Sequence, residues 1–199
     1  MSLLINIRGA PAAGKTTTVK SFCERNKAHT EVLISPLRDK LPVSVIDFSG
    51  RKNSVIVLGD YNAKGNCLGT DRYNNGSKDI IEAIVESYYR YYPDVIIYEH
   101  MLSSHLFRST KSIIDIAEVY GFDYLGIQLA LSDKKRADNM RMRNKKSILP
   151  KHFDKQLGVN RSTQMLQEAG FTVVVENVDN IRKEDMWRIL DDRVRKAFE

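Results

Sequence analysis

The strongest constraint on this chain is a pattern close to its start, in which a glycine and four variable residues precede Gly14-Lys15-Thr16. Residues 3–7 form an apolar run typical of a buried strand, and residues 17–23 are typical of the first turns of a helix. In this setting the pattern predicts a phosphate-binding loop, because its glycines let the backbone curl and turn several N–H groups inward. The segment therefore predicts an α/β fold that binds a nucleoside triphosphate with Mg²⁺.

The side chains of this loop have separate expected roles. Lys15 is expected to reach the terminal phosphates and to act in catalysis, and the Thr16 hydroxyl is expected to ligate the metal. The helix that follows adds a partial positive charge at its N-terminus. The residues expected to bind the nucleotide in this segment are Gly9, Ala10, Ala12, Ala13, Gly14, Lys15, Thr16 and Thr17.

The composition of the chain indicates in which compartment the protein works and what kind of partner it binds. The chain has 199 residues, of which 42% are hydrophobic, and no run approaches the roughly 20 apolar residues of a membrane span. Its N-terminus enters the first strand directly, and its two cysteines suit a reducing compartment. We therefore expect one cytoplasmic domain over residues 1–199 with no membrane partner. The net charge of +6 favours a polyanionic partner such as a nucleotide or nucleic acid.

Strands and helices are predicted to alternate along the rest of the chain, which is typical of a parallel sheet with helices on both faces. Two β-rich runs joined by a short Gly-containing turn predict a hairpin. We expect a three-layer sandwich with a mostly parallel central sheet, a hairpin and substrate loop over about residues 36–76, and a lid over about residues 133–155. The strands are expected at 32–35, 43–48, 54–59, 94–99, 124–131 and 172–176, and the helices at 77–92, 110–120, 133–144, 161–169 and 183–198.

Glu99 is the first candidate for chemistry outside the loop. It follows four apolar strand residues, and ligands bind at the carboxyl ends of strands in such sheets. A carboxylate at this point is suited to hold Mg²⁺ or to act as general base towards an acceptor hydroxyl. The sequence leaves both roles open for Glu99.

Arginines are concentrated after the third parallel strand, at Arg136, Arg141 and Arg143. Guanidinium groups can neutralise a transferring phosphoryl group bidentately when a lid closes. We expect Arg136 to bind the nucleotide, Arg141 to act in catalysis and Arg143 to contact the acceptor.

A polar and aromatic loop over residues 59–76 is the third candidate, because loops of this length are often functional. Its acidic and basic side chains can bind hydroxyl and phosphate groups, while Tyr61 or Tyr73 can stack on a base. Asp71 is the alternative to Glu99 as the group that orients and deprotonates the acceptor. The residues expected to bind the acceptor are Asp60, Tyr61, Asp71, Arg72 and Tyr73, together with His100 and Arg143.

Taken together, these motifs resemble the P-loop kinases of the nucleoside/nucleotide kinase superfamily, and most closely the phage-encoded ones. The shared elements are Ile7-Arg8-Gly9, Leu58-Gly59-x-Tyr61, Gly69-Thr70-Asp71, the strand ending in Glu99, and Leu131 before the arginines. The resemblance implies ATP with Mg²⁺ and, as acceptor, 5-hydroxymethyluracil in DNA modified in the cytoplasm of a phage host. Thr70 stands where the group has a second glycine, and Arg72-Tyr73 replaces smaller residues.

Two further functions stay open at this point. A (deoxy)nucleoside monophosphate kinase would act on free mononucleotides, and a nucleic-acid-binding ATPase or nucleotide switch would hydrolyse ATP slowly without an acceptor. A GTPase is disfavoured, since the Asn-Lys-x-Asp motif that binds guanine is absent from the sequence. Nothing in the sequence determines the oligomeric state.

Overall fold

The computed structural model describes residues 2–34, 40–63, 69–70, 73, 75–100, 105–142 and 149–199. Within these ranges there are seven strands and six α-helices, which alternate except where β2, β3 and β4 follow one another. The strands are β1 (Ser2–Arg8), β2 (His29–Leu33), β3 (Leu41–Phe48), β4 (Arg51–Leu58), β5 (Val95–Glu99), β6 (Phe122–Ala130) and β7 (Thr172–Asn177). The helices are α1 (Lys15–Arg25), α2 (Ser77–Tyr91), α3 (Phe107–Val119), α4 (Asp133–Met142), α5 (Leu149–Glu168) and α6 (Arg188–Lys196).

The strands form one sheet in the order β2-β3-β4-β5-β1-β6-β7. Strand β1 is parallel to both β5 and β6, and the pairs β4–β5 and β6–β7 are also parallel. Only β2 and β3 introduce antiparallel pairs, at one edge of the sheet. The predicted mostly parallel sheet with a hairpin insertion is therefore confirmed.

Helices cover both faces of the sheet, which produces the three expected layers. On one face Val19 and Phe22 of α1 and Leu190 of α6 pack against the sheet side chains of Ile5 and Ile7. On the opposite face the core is formed with α2, α3 and α5, through side chains that include Ile80, Ile84, Ile113, Ile114 and Leu166. Because alternate residues of a strand point to opposite faces, β1 contributes to both cores.

Arg8 is the last residue of β1 and is fully buried on the second of these faces. Its guanidinium donates to Ser162 Oγ at 2.9 Å, Thr110 Oγ1 at 3.3 Å and Thr163 Oγ1 at 3.4 Å. A buried cation requires such partners, because removing it from water is costly. These contacts fix α3 and α5 to the strand that enters the phosphate-binding loop.

Two helices differ from the sequence prediction. Helix α5 begins at Leu149 instead of residue 161, and a glycine at position 158 allows it to pass close to His105. The predicted helix over 183–198 is divided into a 3₁₀ turn, Lys183–Asp185, and helix α6. In the described part of the chain, no helix is both long enough and apolar enough to cross a membrane.

Candidate active site

The phosphate-binding loop joins β1 to α1. Gly14 is the N-cap of α1 with a φ of +97°, a left-handed conformation that glycine adopts without steric cost. The loop is closed by a hydrogen bond from the Ala13 N–H to the Ala10 carbonyl at 3.2 Å. No side chain caps α1, which begins directly after the loop, and helix N-termini of this kind bind anions.

Lys15 lies folded against this loop. Its side chain is largely buried, with 9% of the residue exposed. The ammonium group donates to the Gly9 carbonyl at 2.8 Å and to the Ala10 carbonyl at 3.3 Å. The cation is thus held inside the loop in which phosphates would bind.

Glu99 lies beside the loop because β5 is the direct neighbour of β1. The register pairs Glu99 with Ile7, two residues before the loop begins. The carboxylate accepts a hydrogen bond from Thr16 Oγ1 at 3.2 Å on one oxygen and from Tyr61 Oη at 3.1 Å on the other. Three residues from distant parts of the chain therefore meet at one buried carboxylate, which is 3% exposed.

Gly69 and Thr70 lie against Glu99. Thr70 Oγ1 donates to the backbone carbonyl of Glu99 at 2.5 Å. A Cβ atom on Gly69 would lie 2.7 Å from both Glu99 Cγ and Tyr61 Oη, so only glycine fits. In the sequence, Thr70 differs from the kinases that the chain resembles, but this contact was not predicted.

Tyr61 contributes its hydroxyl group to the site, and its ring is buried in the core. Burial and the nearby Glu99 carboxylate raise the pKa of Tyr61 well above its ordinary value. The phenol therefore stays protonated at neutral pH and remains a donor to Glu99. The base-stacking role predicted for Tyr61 is wrong for this structure, because no ring face is accessible.

Two other residues predicted to contact the acceptor, Asp60 and Tyr73, make their hydrogen bonds with groups other than the Glu99 carboxylate. Asp60 caps its own turn, where it accepts from Thr30 Oγ1 at 2.9 Å and from two backbone N–H groups. Tyr73 is buried, and its hydroxyl donates to the Pro42 carbonyl at 2.9 Å, so stacking on a base is excluded for it as well. His100 is buried next to Glu99 in the chain. Asp71, Arg72 and Arg143 lie outside the described residues.

The two predicted site arginines of α4 are paired with polar side chains of α4 and α5. Arg136, expected to bind the nucleotide, is 4% exposed and donates to Gln156 Oε1 at 2.8 Å and to Asp133. Arg141, expected in catalysis, is exposed and pairs with Asp138 of its own helix at 3.2 Å. The guanidinium of Arg136 instead ties α4 to α5, because Gln156 belongs to α5.

A cleft of about 450 Å³ opens between the phosphate-binding loop, α4 and the segment after β7. Its apolar walls include Leu131, Val178 and Met186, and its polar lining includes Lys135, Asn139 and Arg182. Four of the lining residues, Val178, Asn139, Arg182 and Met186, were not predicted from the sequence. The available signal was their place in the chain, since Val178 directly follows the end of β7 on the ligand-binding edge of the sheet.

The oxygen atoms at Thr16 and Glu99 suit Mg²⁺, which binds proteins through one or two oxygen ligands and keeps several waters. Among the described residues no cluster of three or more His, Cys, Asp or Glu side chains is placed to hold a metal. A dedicated cage for a transition metal is therefore not found in the described ranges.

Similarity between this chain and known proteins is found in structure but not in sequence. No protein-family model matches the chain, and no curated protein matches it in sequence. Among solved structures, the chain is similar to a deoxyadenosine kinase from M. mycoides with bound dATP, at 11% identity and a TM-score of 0.43. The similarity covers 97% of this chain and 100% of that one. At this identity and TM-score, no property of that kinase is assigned to the present chain.

Proposed function

We propose that this chain is an ATP-dependent kinase that transfers the γ-phosphate to a hydroxyl group of a nucleotide base or nucleic acid. The observation that carries the proposal is the hydrogen bond between Thr16 of the phosphate-binding loop and Glu99 of the neighbouring strand. A loop lysine, a loop hydroxyl and a strand-end carboxylate within one site are the groups that phosphoryl transfer requires.

The donor nucleotide is assigned to the loop and the adjoining cleft. Lys15 exchanges its two backbone carbonyl partners for phosphate oxygens when ATP binds. The apolar walls at Leu131, Val178 and Met186 suit the faces of a purine base, and Asn139 offers an amide to its edge.

Thr16 and Glu99 are the residues that would hold Mg²⁺ with the phosphates. When bound, the ion neutralises charge on the transferring group. Tyr61 keeps the carboxylate oriented by occupying its second oxygen. Since both carboxylate oxygens of Glu99 have donors, we assign the general base to Asp71, which follows the Glu99-bound Thr70 in the chain.

The distribution of charge supports a polyanionic acceptor. Residues 133–161 contain ten Lys and Arg against three Asp, a net charge of +7, whereas the whole chain carries +6. The basic excess of the protein therefore lies entirely in the lid segment and α5. Together with the resemblance to phage kinases, this favours 5-hydroxymethyluracil in DNA over a free mononucleotide.

An acceptor panel with γ-labelled ATP tests the proposal. We expect label in DNA containing 5-hydroxymethyluracil, none in unmodified DNA, and a KM for DNA that rises steeply with salt as phosphate contacts weaken. Label only in mononucleotides would favour the nucleoside monophosphate kinase and overturn the DNA acceptor. Slow hydrolysis without transfer to any acceptor would favour a nucleotide switch.

Lys15→Ala tests whether the loop is the catalytic centre. Loss of this cation from the transition state should lower kcat by about 100- to 1,000-fold. Lys20→Ala is the matched control, because Lys20 lies on the same helix and pairs at the surface with Glu24 at 3.8 Å. Equal activity of the two variants would rule out the loop as the phosphate site.

A further inference from the structure

Ala12 has an unusual backbone conformation in the middle of the phosphate-binding loop. Its φ is +67°, in the left-handed region that residues with a Cβ atom rarely adopt. Glycine enters this region without steric cost, but alanine does not. Contacts around Ala12 must therefore compensate for the conformation of the loop.

One such contact comes from the lid helix. Asn139 of α4 donates from Nδ2 to the Ala12 carbonyl at 3.2 Å, in a half-buried setting. This bond links α4 directly to the loop residue with the strained backbone.

Helix α4 is itself held in place by hydrogen bonds made about one turn before Asn139. Arg136 donates to Gln156 of α5 at 2.8 Å, and Gln156 Nε2 donates to Asn160 Oδ1 at 2.7 Å. The same Asn160 oxygen accepts from Gln128 Nε2 of β6 at 2.9 Å. The position of Asn139 is therefore fixed relative to the sheet, which lets it act as a support for the loop.

We infer that Asn139 is a positioning residue that keeps Ala12, and with it the phosphate-binding loop, in the conformation that binds the nucleotide. The inference rests on the proposed function, in which this loop binds ATP. Without the amide, Ala12 can return to the right-handed region, and only part of the population keeps the binding conformation. The apparent affinity for the nucleotide is then reduced in proportion to the fraction of molecules that keep this conformation.

A double-mutant cycle separates this role from direct contact with the nucleotide, since Asn139 also lines the cleft. Ala12→Gly removes the backbone penalty, so the loop no longer needs the amide. If Asn139 acts through Ala12, its loss matters less in the glycine background. If Asn139 contacts the nucleotide directly, its loss costs the same in both backgrounds.

Calorimetric titration with a non-hydrolysable ATP analogue and Mg²⁺ measures the four dissociation constants. We expect Asn139→Ala to weaken binding by about two- to tenfold, as for the loss of one hydrogen bond. Ala12→Gly provides the reference affinity of the second background, and Asn139→Ala added to it should cost less than about twofold. Gln164→Ala is the matched control, because it removes an exposed amide that bonds Glu168 on α5.

Equal losses on removal of Asn139 in the two backgrounds would overturn the positioning role while leaving ATP binding intact. Unchanged affinity in the Asn139→Ala single variant would also overturn it. Absence of any binding by the unmodified chain would instead refute the proposed function itself, and the inference with it. Thermal melting of each variant establishes that the folded protein was titrated.

Discussion

Gly69→Ala offers the most quantitative test of the site, because the structure gives the clash that it would create. The new methyl group would lie 2.7 Å from Glu99 Cγ and from Tyr61 Oη, and 2.8 Å from Glu99 Oε1. These distances are about 0.7 Å shorter than the 3.4 Å at which ordinary van der Waals contact begins. Both neighbours are buried, so neither can turn out into solvent.

Two consequences are expected from this clash. Overpacking of a buried site costs about 1–3 kcal/mol, which for a domain of this size lowers Tm by roughly 2–12 °C. Displacing the Glu99 carboxylate by several tenths of an ångström should also break its 3.2 Å contact with Thr16. Since a misplacement of about 1 Å can cost 100-fold in rate, we expect kcat to fall by roughly tenfold or more.

Steady-state phosphoryl transfer and thermal melting measure both effects. Gly50→Ala is the matched control: its φ is +78° and a Cβ atom there meets nothing within 4 Å, so it should lower stability but not kcat. Tyr61→Phe removes one of the clashing atoms. The double variant Tyr61→Phe, Gly69→Ala should therefore lose less stability than the sum of the losses in the two single variants. Unchanged kcat and Tm in Gly69→Ala would refute the tight packing on Glu99.

Two further predictions concern protonation and proton transfer. Because burial and Glu99 raise the folded-state pKa of Tyr61, its contribution to stability is complete below about pH 10 and is lost as the pH rises towards the folded pKa. Urea denaturation measures the free energy of unfolding from pH 8 to 11. This free energy should fall more steeply with pH for the parent chain than for Tyr61→Phe, and the two slopes should differ by up to about 1.4 kcal/mol per pH unit. Equal slopes in the two proteins would contradict a buried phenol. Asp71→Asn should lower kcat about 100- to 10,000-fold with little change in the affinity for ATP. If kcat instead stays close to that of the parent chain, the general base is Glu99 and not Asp71.

Local patterns in the sequence were sufficient to predict most of the architecture. The apolar runs before Gly9 and before Glu99 predicted two strands of a parallel sheet, and the turn over residues 49–53 predicted the hairpin, since each depends on residues close in the chain. The first half of α5 was missed, because Gly158 weakens the helical pattern there. That segment is helical in the folded chain, in which its second half packs against the sheet.

The sequence by itself determined the phosphate-binding loop, the alternating fold and the candidacy of Glu99. Only the tertiary structure decided that Tyr61 and Gly69 surround that carboxylate, that Arg136 ties α4 to α5, and that Asn139 contacts Ala12. The physical reason is the range of the interactions. A loop motif depends on the backbone conformation of adjacent residues, whereas the contacts of a buried polar group depend on segments that meet only when the sheet and its helices have assembled.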